Sequence, residues 1–302
     1  MTRKVTNLNQ ANRNTILLED AEVLEQTAHA ADQFILTVRS PRCASVARAG
    51  SFAHLSCDAE LPMRRPLSIM RADPATGTVE FLYKIVGHGL RLLSQKQRGD
   101  RLSLLGPIGQ VFQPDPERPR TLLIGGGVGI PPMIFLAQTL SEDPHHDWNP
   151  LVLMGSEIPF PFLTTSSAIQ ATGMPASAAH GLKLLEDLGV ASRLASAAGL
   201  PGCYPGFVTE LAREWLSSLD ASDLAKVSIY ACGPTPMLEA AARVAQTFDL
   251  PCQVSLEEYM ACAVGGCAGC AVPIHTEQGV AMKRVCVDGP VFDANLVFPP
   301  AA

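Results

Sequence analysis

The sequence predicts a multi-domain β plus α/β protein: an antiparallel β-barrel, then a parallel α/β domain, then a small C-terminal domain organised by cysteines. Three observations lead there. Up to about Leu105, β-rich runs alternate apolar and polar residues between Gly and Pro breaks. From Thr121 onward, short apolar strand-like runs alternate with helical ones. Four of the nine cysteines lie between Cys262 and Cys286. A length of 302 residues suits two or three domains, and 47% hydrophobic against 17% charged residues argues for a compact, enzyme-like body rather than disorder.

In the first region, Phe34–Val38 and Val79–Tyr83 read as strands of a small barrel. Asp115–Arg120 is a polar, proline-rich joint, so the expected division is 1–117, 118–250 and 251–302. After the joint, Thr121–Ile124 reads as a buried strand, followed by a glycine turn and an apolar helix to Leu140. Leu151–Met154 and Val227–Ala231 read as the second and third strands, and Met237–Phe248 as a helix. Between Pro159 and Pro205 only one helix, Leu182–Leu188, is readable. The spacing of Leu211, Trp215 and Leu219 suits one face of a helix. The tail from Pro251 ends in a strand-like stretch at Ala271–Ile274 and is too short for a large core of its own.

A net charge of −6, from 23 basic and 29 acidic side chains, gives no electrostatic reason to expect nucleic acid or an anionic membrane as partner. The N-terminal MTRKVTNLNQANRN lacks the apolar core of a secretory signal. Thr121–Leu140, the most apolar stretch, is broken by four glycines and two prolines and does not read as a membrane span. A soluble, cytoplasmic protein is expected, with its thiols reduced.

The strongest chemical signal is Cys262-x4-Cys267-x2-Cys270-x15-Cys286. This is the spacing by which plant-type ferredoxins hold a [2Fe–2S] cluster. Three thiolates on one tight loop wrap the group and a fourth closes it from another segment. Gly265, Gly266 and Gly269 let the loop curl and aim N–H groups at sulfur, and Ala261, Ala263 and Ala268 leave room. A structural zinc is the alternative, although zinc sites more often pair cysteines as two separated couples.

Arg65-Pro66-Leu67-Ser68 offers a forked cation and a hydroxyl to a nucleotide, with Leu82-Tyr83-Lys84 and Gly87-His88-Gly89-Leu90 downstream. Read alone, Arg65 is equally a surface arginine before a strand, and His88 a solvated loop residue. Gly125–Gly129, including Gly126, Gly127 and Gly129, lies between strand and helix but does not match G-x-G-x-x-G. Nor does a clear acidic ribose ligand follow at the expected spacing. The run is either a phosphate-approach turn or a plain tight turn. Cys232-Gly-Pro234 follows a strand at the carboxyl edge of the sheet, where ligands of α/β folds bind; a buried thiol is the plainer reading. Cys43, Cys57, Cys203 and Cys252 read as buried thiols, Trp148 and Trp215 as packing residues, and His145–His146 as a solvated loop.

In this order the motifs resemble the ferredoxin-reductase-like flavoproteins. The stretches Ser255–Cys262 and Val285–Phe292 resemble, within that family, the iron–sulfur electron-transfer subunits of dihydroorotate dehydrogenase B. The resemblance implies a barrel that binds FAD, an α/β domain that binds NAD or NADP, and a C-terminal [2Fe–2S] domain. It places FAD against Arg65, Pro66, Leu67, Ser68, Leu82, Tyr83, Lys84, Gly89 and Leu90. Lys84 stands where arginine is usual and Leu90 where threonine is usual. Gly126, Gly127, Gly129 and Cys232 fall toward the nicotinamide, and Cys262, Cys267, Cys270 and Cys286 on the cluster ligands. Ala263 replaces a usual glycine, and Pro159–Gly206 departs most from the family pattern.

The implied activity is an oxidoreductase in electron transport for pyrimidine biosynthesis. A partner chain with FMN oxidises dihydroorotate, and its electrons pass through the cluster and FAD to NAD, in a heterotetramer of two of each chain. No general acid or base of the chain's own is required, because the cofactors carry the chemistry. A ferredoxin–NAD(P) reductase-type or oxygenase reductase subunit is the alternative, and a non-catalytic redox sensor a third.

Overall fold

The computed structural model describes residues 15–300, so the polar N-terminal stretch read above lies outside the described residues. The first layer is a closed barrel of β1 (Leu17–His29), β2 (Gln33–Arg39), β3 (Phe52–Leu55), β4 (Arg65–Asp73), β5 (Thr78–Lys84) and β6 (Arg101–Ile108), in the order β1-β2-β5-β4-β3-β6. Closure depends on the long β1. Its first half pairs with β6 and its second half with β2, and a bulge between Val23 and Glu25 makes the bend. Alternation then puts Val23, Leu36, Val38, Val79, Phe81 and Leu104 inside, all fully buried. The short α1 (Pro41–Val46) is pinned by Glu19, whose carboxylate accepts from Ser40 Oγ and from the N–H groups of Arg42 and Cys43. After β5 comes α2 (Gly87–Leu93), whose Gly89 lies against the Arg65 guanidinium of β4.

The second layer is a six-stranded sheet. It contains β7 (Arg120–Gly126), β8 (Leu151–Gly155), β11 (Ala191–Ala195), β12 (Val227–Cys232), β13 (Cys252–Ser255) and β16 (Val291–Asp293), in the order β11-β8-β7-β12-β13-β16. All its pairs are parallel except β13–β16. A 3₁₀ turn at Gly127–Gly129 leads from β7 into α3 (Ile130–Ser141). This helix is apolar on almost every side because it lies between the sheet and the barrel, in a single apolar core that includes residues of both. The opposite face carries α5 (Val208–Ser217) and α7 (Thr235–Thr247), with α6 (Ala221–Leu224) between them. On α5, Leu211 and Trp215 face the core as their spacing requires, while Leu219 falls beyond the helix end.

The stretch from Pro159 to Pro205 holds more than the one helix read from sequence. It contains β9 (Thr164–Ser166) paired with β10 (His180–Leu182), the helix α4 (Lys183–Asp187), and β11. Val227 therefore begins the fourth parallel strand in chain order, not the third. Strand β11 was hidden because it buries Ser192 and Arg193 among its few apolar residues. Arg193 donates to Ser167 Oγ and to the carbonyls of Ser192 and Ile169, which satisfies a cation that burial would otherwise penalise.

The tail does not fold apart. Its β13 and β16 complete the sheet, while the hairpin β14 (Ala271–Thr276) and β15 (Gly279–Arg284) and the short α8 (Ala294–Val297) flank it. Met260, Ala263, Cys270, Val285 and Cys286 share a small core with Phe52 and Ile108 of the barrel. Roughly fifty residues have too little surface to bury among themselves, so this segment borrows the barrel's. Among the described residues no helix is long and apolar enough to cross a membrane.

Candidate functional site

A groove of about 960 Å³ opens where barrel, sheet and tail meet. Its barrel wall is Arg65–Ser68 of β4, Leu82–Lys84 of β5 and Leu90 of α2; its other wall is Ser255–Ala261, with Gly269, Pro290 and Val128. The structure thus brings together nearly all the residues expected around FAD.

Two adjacent arginines have different roles there. Arg64 is consumed by structure, donating to the carbonyls of His54 and Ser103 and to Ser103 Oγ. Arg65 anchors only its Nη1, at 2.9 Å from Met63 O and 3.1 Å from Arg64 O. Its Nε and Nη2 lie over Gly89, where an added Cβ would come within 2.8 Å of both. A side chain at Gly89 would push the guanidinium off its present position. None of the ion pairs among the described residues involves Arg65. A cation whose fork faces the N-terminal turn of a helix, with no carboxylate beside it, suits a pyrophosphate. This donor set fits the group the sequence implies.

Leu67 and Leu82 supply apolar surface, and Ser68 stands opposite Phe52 across the β3–β4 pair. Tyr83 is turned inward. Its hydroxyl donates to Gln26 Oε1 at 2.8 Å and its ring stacks on Phe34. Its phenol is pushed above its usual range by burial and by the nearby Cys57. His88 is exposed, as read from sequence.

The cluster loop continues the groove's far wall. Gly265 has φ +80°, Ala263 +55° and Ala268 +53°, so the loop curls as its glycines and small residues suggest. Burial pushes the Cys262 thiol up, but N–H groups of Val264, Cys267 and Gly266 and the Cys267 side chain outweigh it and bring it down to about 7. Gly269 N–H donates to Cys267 Sγ at 3.4 Å. Cys267 acts on the Cys262 thiol, and both Cys270 and Cys262 act on Cys286, so the four thiols lie near one another. Burial and then the neighbouring Cys270 push Cys286 up to about 12. Four soft thiolates, three on one curled loop and a fourth from a separate segment, suit an iron–sulfur group. Arg284 fastens the loop, donating to Gly265 O at 2.9 Å and to Asp288 at 3.2 Å. Cys270 and Cys286 are buried, Cys262 is half-buried and Cys267 is exposed.

The third group of expected residues sits at the junction of β7 and β12. A Cβ on Gly129 would lie 2.4 Å from the Cys232 carbonyl, and one on Gly126 2.4 Å from Met237 Sδ. Gly129 is needed to pack two turns together, whereas a side chain at Gly126 would displace the Met237 thioether. Gly127 has φ +55° and open space beside it. Cys232 is fully buried, its thiol raised by burial and near Glu257 and Ser255, and it does not line the groove. Of the remaining thiols, Cys43, Cys57 and Cys252 are buried as expected, but Cys203 is only half-buried, in a turn at Pro201. The His145–His146 loop is held by Asp143, which also accepts from Trp148 Nε1.

Two residues at or near the site were not singled out from sequence. Glu257 lines the groove with its carboxyl raised by burial. His54 of β3 is 1% exposed, and the main-chain groups of Arg64 and Met260 lie near its ring without closing a hydrogen bond. Burial, then the Arg64 charge, lowers it to about 4. Neither has a local sequence signal, since an acid before a cysteine loop and a histidine in a strand are both ordinary.

A closed barrel, a parallel sheet in this order and a four-cysteine tail define the ferredoxin-reductase class of flavoproteins with an iron–sulfur extension. Residues 257–298 match the family model described as the iron–sulfur cluster binding domain of dihydroorotate dehydrogenase B. A protein of Geobacillus thermodenitrificans named dihydroorotate dehydrogenase B (NAD(+)), electron transfer subunit, is 34% identical over 286 residues, covering 92% of this chain and 98% of the relative. One of the same name from Caldanaerobacter subterraneus subsp. tengcongensis is 32% identical over 248 residues, covering 82% and 86%. The solved NADH-dependent reduced ferredoxin–NADP oxidoreductase superposes with a TM-score of 0.72 at 25% identity, covering 92% of this chain and 89% of that one. The chain belongs to the family of dihydroorotate dehydrogenase B electron transfer subunits.

Proposed function

We propose that this chain carries electrons between a partner subunit that oxidises dihydroorotate on FMN and NAD, by way of a [2Fe–2S] cluster and FAD, in the cytoplasm. The observation that carries the reading is the shared wall: Met260, Ala261 and Gly269, beside the cluster thiols, also line the groove that Arg65 and Ser68 line from the barrel. FAD, when bound, supplies the exchange between electron pairs at a nicotinamide and single electrons at a cluster. The chain's own residues position and shield. Arg65, Gly89 and the backbone of Leu90 hold the pyrophosphate; Pro66, Leu67, Ser68, Leu82, Tyr83 and Lys84 form the wall for the rest. Gly127 admits the nicotinamide nucleotide, while Gly126, Gly129 and Cys232 hold the turn in place. Cys262, Cys267, Cys270 and Cys286 ligate the cluster, with Cys267 at the solvent side toward the partner. The five other cysteines are free thiols, as a reducing compartment would keep them.

The division of labour follows 1–117 for FAD, 118–250 for the nicotinamide and 251–302 for the cluster, in a complex of two of each chain. Anaerobic purification with the coexpressed partner is the test. The expected result is two iron, two acid-labile sulfide and one FAD per chain, with dihydroorotate-dependent reduction of NAD+. Zinc without sulfide overturns the cluster reading. A different stoichiometric partner favours the second reading, a reductase subunit for another protein, which the likeness to the ferredoxin–NADP oxidoreductase supports.

A further inference from the structure

Strand β3 is buried at all four positions, so its outer face is covered as well as its inner one. Alternation turns Ala53 and Leu55 into the barrel core, and Phe52 and His54 outward under the tail. Phe52 shares the small core of Met260, Cys270 and Cys286. His54 is the polar member of this covered face. It pairs with Pro66 of the groove wall, and both its ring nitrogens are buried without a hydrogen bond. Burial keeps the ring neutral near pH 7, so it has one N–H to donate. The acceptors near it are the main-chain carbonyls of Arg64 and Met260. The first already accepts from Arg65 Nη1 at 3.1 Å. Among the described residues no donor reaches the second.

An unpaired donor and an unpaired acceptor thus lie together away from water, where leaving both unmade is costly and a small shift of the loop would join them. Their place gives the bond a use. Met260 and Ala261 line the groove and Cys262 follows directly, so two peptide units connect the groove wall to the first cluster ligand. This stretch has no regular structure. Arg284 and the Val285 N–H fasten the loop at Gly265 and Cys270, beyond Cys262. His54, carried on a strand that is paired on both sides, is placed to fasten it before Cys262.

We propose that His54 is a positioning residue of the electron path: its ring N–H closes on the Met260 carbonyl in the loaded protein and fixes Cys262 relative to the groove. This rests on the reading of the groove as the FAD site and of the four cysteines as cluster ligands. The test compares His54→Gln with His54→Met in FAD- and cluster-loaded protein, since the two side chains match in length and only glutamine donates. Iron content, FAD content and bleaching of the flavin by NADH should stay at the wild-type level in both. In His54→Met, electron passage from flavin to cluster, followed by freeze-quench EPR, should slow at least about tenfold, because small misplacements at a reacting pair are costly. The EPR spectrum of the dithionite-reduced cluster should broaden in the same variant, and iron should leave faster to a chelator. His54→Gln should restore all three. Wild-type passage and spectrum in His54→Met overturn the proposal. Equal loss in both variants assigns the effect to the shape of the ring and overturns it too, as does loss of FAD from both. A wild-type protein that holds no cluster overturns the proposed function itself, which keeps the two failures apart.

Discussion

The groove and the cluster loop share a wall but are built by opposite means. The groove's barrel side rests on strands β4 and β5, whose hydrogen bonds and buried faces hold Arg65 and Ser68 whether or not a ligand is present. The cluster loop has no regular structure from Ala261 to Gly269, places two alanines at positive φ, and is fastened mainly through Arg284 and the Val285 N–H to Cys270 O bond. The first site is preorganised by the fold, whereas the second needs its metal to complete it. The two halves of the electron path should therefore fail independently.

The sharpest separation is expected from Cys270→Ser. Losing a soft, buried thiolate should abolish the cluster and with it electron passage to the partner, while NADH still reduces the flavin. Stopped-flow reduction of flavin and then of partner reads both steps. Partner reduction at the wild-type rate would refute a linear relay, and loss of flavin reduction would show that the loop shapes the groove after all.

Arg65→Ala attacks the other half. Removing a charge-assisted contact worth about 1.5–3 kcal/mol should weaken FAD retention roughly ten- to a hundredfold and leave iron content unchanged. Full flavin occupancy in the desalted variant would count against the pyrophosphate role.

Acid should strain the contact between the halves through His54. The unfolded chain takes up a proton near pH 6.5, but the buried ring resists until about 4, so stability is complete above pH 6.5 and declines as pH falls through this window. The loss should be on the order of 2 kcal/mol after allowance for solvent screening. Urea midpoints at pH 7 and pH 4.5 should differ less in His54→Leu than in the wild type; an equal drop would assign the acid sensitivity elsewhere.

The smallest effect concerns loop strain. Ala268 is exposed at φ +53°, a conformation that costs an L-residue about 1 kcal/mol or more. Ala268→Gly should slow loss of the cluster to a chelator several-fold, without altering FAD binding. Ala263 has the same conformation but a buried methyl, so glycine there would lose packing as it relieves strain.

What the sequence determined by itself was local chemistry with a fixed spacing. Four cysteines separated by 4, 2 and 15 intervening residues, a forked cation before a strand and a glycine turn between strand and helix are legible because each is a local pattern in the chain. Barrel and sheet were legible from their alternating and blockwise hydrophobicity. Tertiary structure decided everything that depends on residues distant in the chain. Only the fold shows that Arg64 is consumed by Ser103 while Arg65 is left for a ligand, or that Gly129 serves the Cys232 carbonyl. Strand β11 escaped because a buried arginine, satisfied by Ser167 and Ile169 from another segment, breaks the apolar run.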